Sequence, residues 1–319
     1  MYKRIAVIGG AGFIGSHTVN ELIKNGHNPI VIDSKPPGPL DLYWCELRDR
    51  PRPYIEYRQA DITNPTEINK ALKGIDVAYM LAAVSNASKV EKDPELGLKT
   101  NVSGLSNVLL ACVKNKIKRV IFSSSVWVYS SAENQRVNEE TLIPTNTPSH
   151  IYTTSKIVGE NLIRSFHEMY GLNYTILRYG VAYGPGANEN TAISSFIKNA
   201  LKGDPIVING SGESARSFLF VEDHARGNVL ALKVSAENQT FNLDGKRRIS
   251  IKEVAEIVQK VCKQEINIIH KSSILSEYKG KNVSIKKAKE VLDWSPRVSF
   301  KEGIKKHYEW QSSSYSSSR

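Results

Sequence analysis

The sequence predicts an α/β chain built on a doubly wound parallel sheet, with a smaller C-terminal substrate-binding lobe. Three observations carry that reading. Strand-like apolar runs alternate with helically spaced segments through the first half, which implies a parallel sheet covered on both faces. The first run leads straight into a glycine-rich turn, "VIGGAGFIGSH". After "NYTILRYG" the alternation loosens, and residues 184–212 are rich in Gly and turn residues. The expected division is a Rossmann-type dinucleotide-binding domain at 1–180 and a segment at 181–310 that is mainly the substrate-binding lobe, with some chain interleaved. A low-complexity tail at 311–319, "SSSYSSSR" with its neighbour, is expected to be disordered.

The elements follow in order. "RIAVIG", "PIVID", "YIEYRQAD", "VAYMLAA" and "KRVIFSSS" read as strands. "DPELGLKTNVSGLSNVLLACVKN" is the clearest helix: Asp93 can cap it, Pro94 suits its first turn, and apolar residues recur every three to four places. "SIKEVAEIVQKVC" and "SIKKAKEVLDW" read as surface helices of the later lobe.

Bulk composition bounds the function. The chain has 319 residues, 40% hydrophobic and 24% charged, enough for a large core. No stretch reads as a transmembrane span or a signal peptide. Cys45, Cys112 and Cys262 are scattered and the seven histidines do not cluster, so reduced thiols, a cytoplasmic chain and no metal site are expected. The net charge is +11, but Lys and Arg are spread along the chain without the aromatic interleaving of a nucleic-acid motif. A solvated basic surface and an anionic small-molecule substrate fit better than nucleic acid.

The glycine turn satisfies GxGxxG through Gly10, Gly12 and Gly15, and GxxGxxG through Gly9, Gly12 and Gly15. Glycine permits a tight turn and lets a pyrophosphate reach the helix N-terminus, where free N–H groups and the helix dipole favour negative charge. Asp33 ends the second strand at the expected distance. An acid there accepts hydrogen bonds from both ribose hydroxyls and repels a 2′-phosphate, which favours NAD over NADP. Lys35 blurs that preference slightly.

Tyr152 stands four places before Lys156 in "PSHIYTTSK", on one helix face. That spacing alone fits an ordinary helix turn. The strand before it ends in Ser123, Ser124 and Ser125, small polar groups at the carboxyl edge where a cofactor lies in such sheets.

Taken together, "GGAGFIGSH", "QADITN", "LAAVSNASKVEKDPELGLKTNVSG", "FSSSVWVY", "PSHIYTTSKIVGE", "LRYGVAYGPG", "GSGESARSFLFVED" and "KKAKEVLDWSP" resemble the extended short-chain dehydrogenase/reductase family. The resemblance is to its NAD-dependent sugar-nucleotide epimerase/dehydratase group, and it runs nearly end to end. It implies that Ser125, Tyr152 and Lys156 are catalytic. Tyr152 would exchange a proton with a sugar hydroxyl, Ser125 would hydrogen-bond the reacting oxygen, and Lys156 would lower the phenol pKa and hold the nicotinamide ribose. It places Phe13 and Ile14 at the pyrophosphate, and Asp61 and Ile62 at the adenine. Leu81, Ala82 and Ala83 would line the cofactor cleft, with Asn101 and Ser123 nearby, and Arg216 would grip the substrate diphosphate. It also implies a homodimer paired through four helices that include the Tyr152 helix.

Dehydratases of the group carry an acid and a base where this chain has Val126 and Trp127, side chains that cannot move protons. Epimerisation by oxidation at C4, rotation of the ketosugar and hydride return is therefore expected, with UDP-glucose and UDP-galactose first among substrates. Val181, Ser284 and the absence of a C-terminal Arg depart from the family pattern; Lys279 or Lys281 could replace that Arg. A reductase, a dehydratase using other residues, a 2-epimerase and a nucleotide-sensing protein on this scaffold are the alternatives.

Overall fold

The computed structural model describes residues 2–35, 55–145, 150–263, 266–272 and 280–316. Cys45, Lys279, and Pro148 and Ser149 of the Tyr152 motif lie outside the described residues, as does the tail from residue 317.

The first half runs β1 (Ile5–Ile8), α1 (Phe13–Lys24), β2 (Pro29–Asp33), β3 (Tyr57–Gln59), α2 (Pro65–Ala71), β4 (Val77–Met80), α3 (Ala87–Lys92), α4 (Pro94–Leu98), α5 (Leu105–Lys114), β5 (Arg119–Ser125). It continues with β6 (Arg136–Val137), α6 (Ile151–Tyr170) and β7 (Asn173–Tyr179). After it come β8 (Val181–Tyr183), α7 (Ala192–Lys202), β9 (Ile206–Asn209), β10 (Ala215–Phe220), α8 (Val221–Leu230) and β11 (Gln239–Leu243). The chain ends with β12 (Arg248–Ser250), α9 (Ile251–Cys262), β13 (Ile268–Lys271), β14 (Asn282–Val283), α10 (Lys286–Leu292) and α11 (Phe300–Ser316).

Seven strands form one sheet in the order β11-β7-β5-β4-β1-β2-β3, parallel at every pairing. The strand order reverses between β1 and β4, which opens a crevice at their carboxyl ends. β1, β4 and β5 are buried along their whole length, as a sheet covered on both faces requires. One face packs on α2, α5 and α6 through Ile68, Leu72, Leu105, Val108, Ile163 and Phe166. The other packs on α1, α8 and α10 through Val19, Leu22, Ala231, Ala288 and Leu292, with Trp294 fully buried. Each aliphatic side chain so buried stabilises the fold by about 1.5–3 kcal/mol.

The second half does not stay apart. β10, β8 and β12 make a small mixed sheet, and α7, α9 and α11 enclose a third core around Phe196, Ile208, Val254 and Ile304. Between these pieces the chain returns to the large sheet, where β11 adds a strand beside β7 and α8 covers α1's side. The α10 helix, read from sequence as part of the later lobe, packs against the large sheet instead. Its apolar positions show that one face is buried, and the fold decides against what. The tail also differs from expectation: α11 runs through Ser316, so a disordered segment beginning at 311 is corrected as far as that residue. Gln311 is anchored, its Nε2 donating to Ser194 O at 3.1 Å.

By length and composition Pro94–Lys114, 21 residues, could cross a membrane. Its inner face, Leu105, Val108, Leu109, Ala111 and Cys112, is part of the first core.

Candidate active site

The glycine turn sits at the crevice. Gly9 has φ +83°, and a Cβ there would lie 2.6 Å from Ala82 N, so β1 and the end of β4 meet without room for a side chain. A Cβ on Gly15 would lie 2.0 Å from Gly9 O. Gly12 caps α1 and has no side chain to bond the first N–H groups, which leaves that end of the helix to backbone and ligand. Phe13 and Ile14 open the helix, half-buried. Asp33, at the end of β2, accepts from Ala11 N at 3.1 Å and Lys35 N at 3.2 Å, so its carboxylate is held against the glycine turn.

Leu81, Ala82 and Ala83 leave β4 half-exposed along the crevice. Asn101 braces them from behind. It is 5% exposed, its Oδ1 accepts from Val84 N at 2.8 Å, and its Nδ2 donates to Val84 O and Ser155 Oγ. It lies on a π-helical turn, Lys99–Gly104, joining α4 to α5. Such a turn re-aims one side chain, and here that side chain positions the cofactor-side loop. Asp61 is exposed and its Oδ1 is occupied by Thr63 N and Oγ1 at the start of α2. Ile62 is buried, and Gly104 leaves no room for a Cβ beside it.

Ser125, Tyr152 and Lys156 come together where β5 meets α6. His150 starts the helix by accepting from Thr153 N at 3.1 Å through Nδ1. Ser125 is 5% exposed and accepts from Trp127 N at 3.2 Å. Burial pushes the Tyr152 phenol up to about 12, and its hydrogen bond with Ser125 works in the opposite direction. Lys156 is 4% exposed; burial lowers its ammonium to about 8, against the pull of Glu160. Its Nζ donates to Ser123 O at 2.7 Å and lies 5.8 Å from the Tyr152 ring centre. Ser123 in turn donates to Met80 O at 3.0 Å, tying β5 to β4 below the crevice. Lys156 is thus anchored to the strand, and burial favours the protonated phenol.

Sequence reasoning missed the support behind this set. Glu160, one more helical turn along, accepts from Arg178 Nε at 2.8 Å and Nη2 at 2.7 Å, and from Ser124 Oγ at 2.7 Å. Arg178 Nη1 donates to Tyr129 Oη at 2.5 Å, and Tyr129 donates to Asn242 Oδ1 at 3.0 Å. The signal was the spacing of Tyr152, Lys156 and Glu160 at steps of four on one helix face.

Across the cleft, β10 carries Arg216, whose Cζ lies 5.5 Å from the Trp127 ring centre. Trp127 also faces His150, ring centres 4.9 Å apart, so it forms one wall of the cleft. Val126, Val181, Arg248, Lys281 and Asp244 line the same space. Lys281 is the described candidate for the absent C-terminal Arg, and its Nζ donates to Ala132 O. The Ser284 hydroxyl accepts from Lys286 N at 3.3 Å at the start of α10.

The family model for the NAD dependent epimerase/dehydratase family matches residues 5–244. The chain belongs to that family. A provisionally named UDP-glucose 4-epimerase of Methanocaldococcus jannaschii is 32% identical, over 96% of this chain and 97% of its own. The UDP-N-acetyl-alpha-D-glucosaminuronate decarboxylase of Bacillus cytotoxicus is 30% identical, over 97% and 98%. Among solved structures, the Thermotoga maritima UDP-glucose 4-epimerase with UDP-glucose superposes with a TM-score of 0.87 at 27% identity, covering 98% of this chain and 99% of that one. The Bacillus cereus UDP-glucuronic acid 4-epimerase with UDP-glucuronic acid and NAD gives 0.86 at 29%, covering 98% and 100%.

Membership in the epimerase/dehydratase family makes NAD the cofactor of an NAD-dependent sugar-nucleotide enzyme. The residues present fit it. Gly9 and Gly15 leave a cradle that a Cβ would fill, α1 begins without a side-chain cap, and a carboxylate stands at the end of β2.

Proposed function

We propose that the protein is an NAD-dependent epimerase of a nucleotide-diphospho-sugar, interconverting UDP-glucose and UDP-galactose at C4. The observation that carries this reading is the set Ser125, Tyr152 and Lys156 beside Val126 and Trp127. The proton-transfer group is present, and the positions that would hold an elimination acid and base are an aliphatic and an indole side chain. The M. jannaschii relative and the T. maritima structure support the choice of sugar.

When bound, NAD supplies the acceptor and donor of a hydride at the sugar carbon. Asp33 would hold the adenosine ribose by accepting from its hydroxyls. Tyr152 takes the proton of the C4 hydroxyl as oxidation proceeds, and Ser125 donates to the reacting oxygen. The charged Lys156 would hold the nicotinamide ribose and stabilise the phenolate. Arg216, on the Trp127 wall, holds the diphosphate while the ketosugar turns its other face. Tyr152 then returns its proton to the oxygen.

A cytoplasmic homodimer is part of the same proposal. What supports pairing is the exposure of Leu96, Leu98 and Leu110 on α4 and α5, and of Met169 and Tyr170 at the end of α6.

The test is proton NMR of UDP-glucose incubated with the purified protein. UDP-galactose should accumulate to equilibrium without net NADH release. Tyr152→Phe should lose at least 100-fold in kcat, within the range of a lost general acid–base group, while still copurifying with NAD. A 4-keto-6-deoxy product, or full activity in the Phe variant, would sink the proposal.

A further inference from the structure

Lys156 and Glu160 hold consecutive residues of β5. Lys156 Nζ donates to Ser123 O at 2.7 Å, and Glu160 Oε1 accepts from Ser124 Oγ at 2.7 Å. They stand one turn apart on the inner face of α6, 4% and 1% exposed. With water kept out, the charge on Lys156 depends on the protein groups around it, and those charges act more strongly than they would at the surface.

The groups around Lys156 come from several elements. β5 offers the Ser123 carbonyl and the Phe122 ring, whose centre lies 5.0 Å from Nζ. On α6 stand the Tyr152 phenol and the Glu160 carboxylate. The π-turn before α5 brings Asn101, an uncharged side chain bonded to Ser155. The charged side chains of α3, α4, the π-turn and α5 are Lys89, Glu91, Lys92, Glu95, Lys99 and Lys114, all exposed. Glu91 acts on His150, at the start of α6. β7 brings Arg178, bonded twice to Glu160, and Tyr129 accepts from Arg178 in turn. Arg164 reaches Glu160 from the partly exposed side of α6, at 3.0 Å. Glu160 is therefore a buried carboxylate shared by two buried cations, Lys156 and Arg178. Against its burial, the bonds from Arg178 and Ser124 hold it below the usual carboxylate range, so it is charged at neutral pH.

If that carboxylate is removed, Arg178 stays charged, since a guanidinium keeps its proton at any working pH. Lys156 is the group that can yield, because a buried ammonium can release its proton. We propose that Glu160 is a positioning residue: it offsets Arg178 and holds Ser124, and so keeps Lys156 charged and seated on Ser123, ready for the ribose and Tyr152. This rests on the role given to Lys156 in the proposed function and adds the group that maintains it.

The test is a pH titration of the full chain carrying carbon-13 at the lysine ε carbons. It follows the Lys156 signal, identified by its loss in Lys156→Met. In the wild type the midpoint should lie near 8. In Glu160→Gln it should fall by at least about one unit. NAD binding by that variant should be about fivefold weaker than wild type at pH 8 and within about twofold of it at pH 6. The double variant Glu160→Gln/Arg178→Met removes both charges and strands neither. Its midpoint should lie between the other two, because it loses the anion without keeping the opposed cation. It decides the matter if the single variant does not fold. An unmoved midpoint in either folded variant overturns the proposal, even if NAD binding weakens equally at every pH, the outcome of a purely structural role. Because the titration reads charge apart from turnover, failure of the epimerase reading shows itself separately, as the expected midpoints without interconversion of the sugars.

Discussion

In the proposed mechanism Lys156 must carry its charge, and burial works against that charge. Desolvation favours its neutral form, against Glu160 and the Ser123 carbonyl that accepts from it. Its pKa near 8 is below the usual lysine value, so the ammonium is present at neutral pH and is lost as pH rises through about 8. Tyr152 stands at about 12 before the nicotinamide charge acts on it, so the first change in this window is the loss of the Lys156 charge. NAD affinity and turnover are therefore expected to fall together between about pH 7 and pH 9, roughly one unit either side of that value. Titration of Trp fluorescence with NAD at several pH values checks this. Lys156→Met should bind NAD weakly at every pH and show a flat profile, whereas a wild type with constant affinity up to pH 9.5 would remove Lys156 from the ribose. The Tyr152–Lys156 pair was legible in the sequence because it sits in one short stretch. Arg178 was not, because its partner Glu160 lies on α6 and it lies on β7. Removing Glu160 leaves Arg178 buried without a carboxylate partner, a cost of about 3–5 kcal/mol, whereas Glu160 without Arg178 keeps Arg164 at 3.0 Å. Asp244 was hidden for the same reason, since its place depends on the missing side chain of Gly180.

At the scale of elements, the turn between β1 and α1 is the tightest constraint. The obstacle to a side chain at Gly15 is the carbonyl of Gly9, which is backbone and cannot swing aside. Gly15→Ala should cost about 1–3 kcal/mol as overpacking does, and should weaken NAD binding at least tenfold by lifting α1 from β1. Thermal unfolding and NAD titration of the variant measure both. Wild-type values for both would mean that the turn adapts and the cradle is not rigid. The strands, this turn, and the Asp93 cap with Pro94 after it were readable because each is a local pattern. The π-turn that aims Asn101 was not, since nothing in "KTNVSG" distinguishes it from an ordinary helix. The helical course of α11 through a serine-rich stretch is set by packing upstream, around Ile304 and Gln311, and composition alone reads only its polarity.

In the whole molecule the two lobes are stitched together. β11 and α10 return to the large sheet, while β10 and β12 belong to the small one, so Arg216 and Asp244 reach the cleft from strands anchored in different lobes. A boundary at residue 180 marks where strand–helix alternation ends, but amphipathic patterns cannot say which core a later helix joins. This stitching suits a reaction in which the ketosugar must turn without leaving. Retention of the hydride is the central claim, and UDP-glucose deuterated at C4 tests it most directly. After incubation without added NADH, UDP-galactose should carry deuterium at C4 at the same abundance as the starting sugar. UDP-galactose with protium at C4, or deuterium recovered in released NADH, would contradict hydride return within one closed site.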